Sequence, residues 1–325
     1  MKHKILLLLP IMAFFATLPI HLYATNECLS PNETVWFRYP AQSWSEQALH
    51  IGNGYMGASF YGEVEKERFD IAEKTFWAGG PHAASDFNYG IIKGGKDKIA
   101  TIRQLIVERR FAEADSLSRI YMTGDYTNYG YFSMVGNLWI DFGKNKQPVQ
   151  NYLRGIDLST SRGFVEYTQG GVQFNREYFC SYPDKLMALH FTADKAGKIS
   201  FSLSHSLVYQ PEEVIESENG LTFNGIIRKN GLSYTIRIKI VQQGGSVKVA
   251  HQRIVVEKAN EATVFYAVDT EYAPVYPLYK GENPQQNTGK VITKAITKGY
   301  ETVKNTHISD YQTLYNRVRF TLTGD

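Results

Sequence analysis

The acidic residues are the first place to look for chemistry in this sequence, because hydrolytic enzymes often use two carboxyl groups as general acid and general base. Asp and Glu together number 32, but no two of them form a convincing pair by position. Glu63, Glu65 and Glu67 alternate with residues of other types, a pattern that is typical of a solvated strand edge or turn. Asp141 follows an apolar strand segment, and a structural role is favoured over a functional one for it.

The histidines yield one candidate for a binding site. His205 falls on the apolar face of a predicted strand, and His307 precedes Asp310 by three residues, the spacing of a local contact on a helix. Both are interpreted as structural. His82 lies close to Trp77 in an irregular, glycine-rich segment, and such a pair of side chains is suited to contact with a sugar ring. His82 and Trp77 are kept as functional candidates, with a purely structural loop as the alternative.

No complete catalytic motif is present in the sequence. The glycines at 52, 54 and 57 have the spacing of a dinucleotide-binding loop, but no βαβ unit surrounds them, and a tight turn is the preferred interpretation. There is no G-x-S-x-G nucleophile elbow and no cluster of residues with metal-ligand spacing. The sequence therefore predicts no catalytic residue, no metal and no cofactor.

The segments that must position these residues are mostly β-strands. In 200–207 and 232–240 apolar residues alternate with polar ones, which is the period of a strand with one buried face. The run 262–268 is almost continuously apolar, as in a central strand, and Gly170-Gly171 and Gly244-Gly245 are predicted as hairpin turns. Many antiparallel strands at regular spacing predict a mainly β fold, a large antiparallel β-sandwich (super-sandwich).

Two segments break the strand pattern with helical periodicity. Residues 96–120 carry apolar side chains at spacings of mostly three and four, without Pro or Gly among them, and predict one inserted helix. Residues 285–316 predict one or two further helices near the C-terminus. Little chain follows to cover the apolar faces of these last helices, which suggests a truncated chain.

Composition excludes some classes of function. The chain has 325 residues, 43% of them hydrophobic and 21% charged, as in a soluble globular protein. The net charge is +3 and the basic residues are scattered, so a nucleic-acid partner is not expected. Beyond the N-terminus no apolar segment is long enough to span a bilayer, so no membrane partner is expected either.

The N-terminus has the layout of a secretory signal peptide. Lys2 and Lys4 precede an apolar run, which ends before polar residues resume at Thr25. Residues 1–24 are therefore predicted as a signal peptide, and the mature protein as secreted or periplasmic. Of the two cysteines, Cys28 falls in the mature N-terminus and Cys180 is predicted to point into the core, so a disulfide between them is not favoured.

Several ordered motifs resemble one known family. The stretch WSEQALHIGNGYMG at 44–57 resembles the opening signature of glycoside hydrolase family 95, the α-L-fucosidase type. Further matching segments follow in the family's order: EKTFWAGGP at 73–81, RQLI at 103–106, AEA at 112–114, GNLWIDF at 136–142, YLRGIDL at 152–158, REYFCSYPD at 176–184, NP at 283–284, HISDY at 307–311 and RV at 317–318. The resemblance covers essentially the whole mature chain.

The resemblance implies a domain layout and an activity. It predicts an N-terminal β-sandwich at 30–272 and a helical linker at 273–325, which would lead towards a missing (α/α)6 barrel. In this family the barrel carries the catalytic residues and hydrolyses terminal α-L-fucosides with inversion. None of the barrel's motifs can be placed on this chain, so no catalytic residue is carried over. The chain is expected to be inactive alone, and its partner would be a fucosylated oligosaccharide once a barrel is supplied.

The sequence departs from the family pattern in the glycine-rich region. The family usually has Asn-Glu-Asp where this chain has Ala72-Glu73-Lys74, and there is an extra residue around Gln47. We expect Asn53, Glu73, Trp77 and His82 to lie at the domain interface or at the rim of the active site.

A free-standing glycan-binding module is the alternative function. It requires two or three exposed aromatic rings that lie in one plane, for which Trp44, Tyr55 and Trp77 are the candidates. The two hypotheses make different demands on the structure, because a domain of an enzyme is expected to have an exposed apolar patch on its C-terminal linker helices, where the barrel would dock. Full coverage of those helices by the sandwich would weaken that hypothesis.

Overall fold

The computed structural model of the chain describes residues 33–79, 93–123, 130–228 and 230–319. The predicted signal peptide, Cys28 and His82 lie outside these ranges. Within them the chain forms two antiparallel sheets that enclose one large core, together with a two-stranded sheet and four helices. The predicted mainly β fold, a large antiparallel sandwich, is confirmed.

Strands are numbered in chain order, and the two main sheets share the chain unequally. In the described ranges the larger sheet has nine strands, in the order β1 (Thr34–Phe37), β8 (Val149–Asp157), β9 (Arg162–Gln169), β10 (Val172–Ser181), β11 (Leu186–Ala193), β18 (Glu261–Thr270), β15 (Leu232–Gln243), β14 (Gly220–Ile227) and β13 (Glu213–Ser217). The smaller sheet has seven, in the order β16 (Ser246–Ala250), β17 (Arg253–Ala259), β12 (Ile199–Leu207), β7 (Gly136–Asp141), β4 (Lys66–Glu73), β3 (Met56–Phe60) and β2 (Leu49–Gly52). Strand β5 (Trp77–Ala78) pairs with β6 (Tyr131–Phe132) apart from both.

Alternating apolar residues make the core between the sheets. On β15, Tyr234, Ile236, Ile238 and Ile240 are buried while their sequence neighbours turn away, as the two-residue period predicts. Phe60 and Phe69 of the smaller sheet meet the ring of Tyr178 of the larger sheet edge-on, with centroids 5.1 and 4.9 Å apart. Burial of one such side chain stabilises the fold by roughly 1.5–3 kcal/mol.

Two C-terminal helices cover the outer face of the larger sheet. Helix α3 (Pro284–Lys298) begins where the Asn283 side chain accepts hydrogen bonds from the backbone N–H groups of Gln285 and Gln286, and Gly299 separates it from α4 (Tyr300–Tyr315). Their buried side chains pack on those of β10, β11 and β18: Ile292, Ala295 and Val303 against Phe179, Leu186, Ala188, Phe265 and Ala267. Because β18 is covered on both faces, its sequence is almost continuously apolar.

The single helix predicted for 96–120 is wrong. The structure has two helices, α1 (Gly95–Val107) and α2 (Phe111–Tyr121), joined by a reversal at which Arg109 has a φ of 59°. The turn brings Ile102 and Leu105 of α1 against Ala114 of α2. A straight helix would leave these side chains in water, so packing overrides the unbroken helical periodicity.

One of the two predicted hairpin turns is also wrong. Gly170-Gly171 does join the paired strands β9 and β10. Gly244-Gly245 instead carries the chain from β15 in the larger sheet to β16 in the smaller one. Gly245 has a φ of 64°, and a Cβ atom there would lie 2.2 Å from the Glu257 carbonyl oxygen. The glycine is required by this close backbone approach and not by a hairpin.

Glu67 is not the solvated residue that its alternating pattern predicts. Its side chain is fully buried between the sheets, with one carboxylate oxygen 3.9 Å from the guanidinium of Arg176. The other oxygen accepts hydrogen bonds from the backbone N–H groups of Tyr61, Gly62 and Arg68. Burial raises the pKa of Glu67 to about 6, and the nearby guanidinium opposes that rise.

The two histidines that were interpreted as structural are held inside the fold. The His205 ring lies 2.9 Å from the Tyr266 hydroxyl oxygen, and burial lowers its pKa to about 3. His307 is buried, and its ring nitrogen lies 3.0 Å from the Thr160 carbonyl oxygen, so its contact is with the sandwich and not with Asp310. No helix among the described residues is long and apolar enough to cross a membrane.

We predict that Arg176→Met destabilises the domain by about 3–5 kcal/mol, because it leaves the buried Glu67 carboxylate without a counter-charge. Urea unfolding of the variant and the wild type at pH 7.5 measures the difference. Arg253→Met is the matched control, since Arg253 is exposed, and its effect is expected to stay within about 0.5 kcal/mol. Equal effects of the two substitutions would contradict the role given to Arg176.

Candidate functional site

Three of the four candidate residues lie at one end of the sandwich. Asn53 is in the turn between β2 and β3, Glu73 ends β4, and Trp77 begins β5. Strand pairing places Met56 opposite Glu73, and the Lys74 N–H donates to the Tyr55 carbonyl oxygen at 2.9 Å. The fourth candidate, His82, lies outside the described residues.

Asn53 holds the turn in which it lies. Its side-chain oxygen accepts hydrogen bonds from the backbone N–H groups of Tyr55 and Met56, at 2.9 and 2.8 Å. Its amide nitrogen donates to the Ser181 carbonyl oxygen at 2.9 Å, which ties the turn to the β10–β11 connection of the larger sheet. These contacts use most of its hydrogen-bonding capacity, so Asn53 positions its neighbours.

Glu73 is a buried carboxyl group whose two oxygens differ in their hydrogen bonding. One oxygen accepts from the Thr75 N–H at 2.9 Å and from the Thr75 hydroxyl at 2.6 Å. The other oxygen is buried without a hydrogen-bond partner among the described residues. Burial raises the pKa of Glu73 to about 7, despite the Thr75 hydrogen bonds, and the charge of Asp269 adds to the rise. Glu73 therefore keeps its proton to a higher pH than an ordinary carboxyl group.

A second carboxyl group adjoins this one and was not singled out from the sequence. Asp269, near the end of β18, accepts hydrogen bonds from the Tyr55 hydroxyl at 2.7 Å and from the Asn287 amide at 2.9 Å. Asn287 belongs to α3, so the contact joins this end of the sandwich to the C-terminal helices. The signal that could have revealed Asp269 is a polar residue directly after the apolar run 262–268.

The neighbouring carboxyl groups do not form an open acid–base pair. Both oxygens of Asp269 are occupied by Tyr55 and Asn287, and Glu73 is fully buried. Tyr55 itself is half-buried, and its pKa is raised by burial and by the charges of Glu73 and Asp269. The Glu73 oxygens are closed to a substrate, and Asp269 is partly exposed but has both oxygens hydrogen-bonded, so the cluster joins the smaller sheet, the larger sheet and α3.

Trp77 is exposed and belongs to a larger apolar surface. Its indole N–H donates to the Lys74 carbonyl oxygen at 2.9 Å, and its ring meets that of Phe132 edge-on at 6.0 Å. The Asn230 amide donates to the Trp77 carbonyl oxygen, and the Lys280 ammonium donates to the Gly231 carbonyl oxygen. Both β5 and the loop after β18 therefore contact the turn between β14 and β15. We call the exposed apolar residues of these segments the end patch: Trp77, Tyr131, Phe132, Met134, Tyr272, Val275, Tyr276 and Leu278.

In chain order the helical hairpin α1–α2 lies between β5 and β6. Its few buried residues pack on each other, whereas other apolar side chains face solvent: Ile99, Ile106, Val107, Phe111, Ile120 and Met122. Val107 and Phe111 are 83% and 61% exposed. Helices α3 and α4 also leave Ile296 and Leu314 exposed, although their inner faces are covered by the larger sheet.

Comparison with known proteins decides the family of this sandwich. Residues 35–274 match the family model described as glycosyl hydrolase family 65, N-terminal domain. The chain belongs to this family of N-terminal domains. A solved structure, a putative kojibiose phosphorylase from human microbiome, has the same fold over 87% of this chain and 38% of its own, with a TM-score of 0.55 at 9% identity.

Two curated relatives connect this N-terminal domain to α-fucosidases. Alpha-L-fucosidase 2 of Arabidopsis thaliana is 28% identical over 316 residues, which are 89% of this chain and 36% of that protein. Probable alpha-fucosidase A of Aspergillus niger is 28% identical over 308 residues, 90% of this chain and 38% of that protein. The resemblance to α-L-fucosidase-type enzymes is confirmed, and the chain spans less than two-fifths of the length of these relatives.

We predict that Glu73→Gln stabilises the domain increasingly as the pH rises. The pKa of Glu73 in the folded chain is about 7 against an ordinary value of 4.5, so the folded protein keeps a proton that the unfolded chain releases between these values. The cost of ionising Glu73 is thus absent below about pH 4.5 and complete above about pH 7. This cost is on the order of 3 kcal/mol.

Urea unfolding at pH 5, 6, 7 and 8 tests this prediction. The difference in unfolding free energy between Glu73→Gln and the wild type should grow across the series, whereas that for Glu46→Gln, an exposed residue, should stay flat. A flat difference for both variants would show that burial does not perturb Glu73.

Proposed function

We propose that this chain is the secreted, non-catalytic N-terminal domain of an α-L-fucosidase-type glycoside hydrolase of family 95. Residues 1–24 would serve as its signal peptide, and hydrolysis would require a separate catalytic domain. The observation that carries the proposal is the match to two α-fucosidases over about nine-tenths of this chain but under two-fifths of theirs. The larger part of each relative has no counterpart in this chain.

The carboxyl groups of the described residues support a non-catalytic role. Glycoside hydrolysis by the usual route needs two carboxyl groups that flank the scissile bond, about 5–10 Å apart and accessible to the sugar. Glu67 and Glu73 are fully buried, so neither can protonate a leaving group or activate a water molecule on a bound glycan. Asp269, the neighbour of Glu73, is partly exposed, but its two oxygens already accept hydrogen bonds from Tyr55 and Asn287.

The apolar surfaces support a docking role. The end patch and the outer face of the α1–α2 hairpin are both exposed, and apolar side chains concentrated in this way on a domain mark an interaction site. Glu73, Asp269 and Asn287 fix the geometry of this end relative to α3. We infer that the catalytic domain packs against this end, with Trp77 at the interface or at the rim of its active site.

We predict that the isolated chain self-associates through the hairpin, because nothing within its described residues covers Val107 and Phe111. Sedimentation velocity should show this association at a protein concentration of ~50 µM, which is high enough to populate a weak complex. The double variant Val107→Ser/Phe111→Ser should reduce the association. Val241→Ser, at an exposed apolar residue on β15, is the control. A wild type that stays monomeric at this concentration would count against a docking surface.

A free-standing glycan-binding module is the second candidate, favoured by the exposure of Trp44 and Trp77, at 56% and 45%. Two observations weigh against a shared platform. The Tyr55 hydroxyl is committed to Asp269, and Trp44 lies away from the end patch, where its indole donates to the Ser59 hydroxyl and its ring meets His50 edge-on.

We predict that the isolated chain does not bind 2′-fucosyllactose in isothermal titration calorimetry. A ligand concentration of ~5 mM is high enough to detect a dissociation constant in the millimolar range. The three aromatic residues do not form one exposed surface, so no stacking platform for the glycan is available. Binding that Trp44→Ala and Trp77→Ala both weaken would support the module instead. Tyr182→Ala, at an exposed aromatic residue elsewhere, is the control.

A further inference from the structure

A cleft opens between the two sheets at the end opposite to the end patch. Val64, two residues before β4, lines this cleft, whereas Glu73 is the last residue of β4. The strand between them is about 23 Å long at ~3.3 Å per residue. The cleft has a volume of about 150 Å³. At ~30 Å³ per water molecule this is the space of about five waters, which suits one sugar ring.

Aromatic rings form the floor of the cleft, and a buried cation fixes them. The rings of Tyr167 and Phe174 stack with centroids 5.1 Å apart. The Arg176 guanidinium lies 3.7 Å from the centroid of Phe142 and donates to the Tyr167 hydroxyl at 2.8 Å. Its other hydrogen bonds go to the Glu63 and Val64 carbonyl oxygens, so Arg176 holds the floor in place and is not itself free for a ligand.

Polar side chains with spare hydrogen-bonding capacity stand at the edge of this floor. The Gln169 amide nitrogen donates to the Asn145 and Gln147 carbonyl oxygens, while its own carbonyl oxygen has no partner among the described residues. The Asn145 side-chain oxygen accepts from the Gln147 N–H, which leaves its amide N–H groups for a ligand. An apolar pocket with a few polar groups of this kind is the usual form of a small-molecule site.

The charged side chains that line the cleft, Lys198 and Arg176, are cations, and no Asp or Glu is among its described lining residues. The connections around the cleft carry both signs of charge. Lys195 precedes Lys198 on the β11–β12 connection and the β7–β8 connection carries Lys144 and Lys146, while Glu63 and Glu65 flank Val64. Of these, Lys195 donates to the Gly171 carbonyl oxygen. Asp194, the acidic residue of the β11–β12 connection, is engaged by the Gln173 N–H.

We propose that this cleft binds an acidic sugar unit of a glycan, such as a uronate. The C–H face of the sugar ring would lie on the aromatic floor, since C–H groups carry a slight positive charge and the face of an aromatic ring is negative. The carboxylate would face Lys198, and the hydroxyl groups would meet Gln169 and Asn145. The site lies at the far end of the sandwich and does not rest on the proposed docking to a catalytic domain.

Ligand-observed saturation-transfer NMR on the wild-type chain with D-glucuronate and D-glucose tests the proposal, because the two probes differ at C6 alone. We expect glucuronate to bind with a dissociation constant on the order of 1 mM and glucose about tenfold more weakly. Raising the salt concentration should weaken the binding of glucuronate and leave that of glucose unchanged. Equal affinity for the two probes, or no signal from glucuronate at ~20 mM, would overturn the proposal.

Two variants and a control locate the binding. Lys198→Glu, at an exposed residue, should weaken glucuronate binding at least about fivefold, and Phe174→Ala should weaken both probes about tenfold. Lys290→Ala, at an exposed lysine of α3, should change neither. If thermal unfolding shows that Phe174→Ala is not folded, Lys198→Glu decides. Unchanged binding of glucuronate to Lys198→Glu would place it elsewhere and contradict the site.

Discussion

The structure depends on one buried charge that links the two sheets. Arg176 projects inward from the centre of the larger sheet and donates to the carbonyl oxygens of Glu63 and Val64, in the connection between β3 and β4 of the smaller sheet. Glu67, at the start of β4, supplies the counter-charge and accepts the N–H groups of that same connection. A buried charge is tolerable only when it is paired and hydrogen-bonded, so this pair fixes how the sheets align.

The alignment has consequences at both ends of the sandwich. At one end Arg176 orients the rings of Phe142 and Tyr167 and keeps the cleft between the sheets open and ordered. At the other end the strands that start from this pair finish at Glu73 and Ser181, where Asn53 and Asp269 join the sheets again. The two ends differ in character, since one is a small cleft lined by Lys198 and the other carries the exposed apolar residues of the end patch.

Periodicity was enough to predict most of the architecture. The two-residue alternation on β12 and β15 and the doubly buried run of β18 are local properties of the sequence, so the sandwich could be inferred from them. The errors concern packing contacts between neighbouring segments of the chain. The break at Arg109 depends on α1 packing against α2, and the crossover at Gly245 depends on the approach of the Glu257 backbone. Neither contact leaves a periodic signal.

The candidate site was predicted in outline only. Family position and loop composition pointed to Asn53, Glu73 and Trp77, and the structure places these three at one end. Their partners Asp269 and Asn287 come from more than 190 residues further along the chain, as does the Thr270 hydroxyl that meets Thr75, and sequence spacing does not reveal such neighbours. Glu67 shows the opposite error, since its alternating sequence pattern matches an exposed edge while Arg176 draws it into the core.

The central proposal is that this sandwich does not hydrolyse fucosides by itself. The most direct measurement is the release of fucose from p-nitrophenyl α-L-fucoside and 2′-fucosyllactose by the purified mature chain over a day, beside a full-length α-L-fucosidase as positive control. The account predicts no release above the buffer blank. Sustained release that co-purifies with the chain through a final size-exclusion step would contradict it, and would require a catalytic pair that the buried carboxyl groups of Glu67 and Glu73 and the hydrogen-bonded Asp269 do not provide.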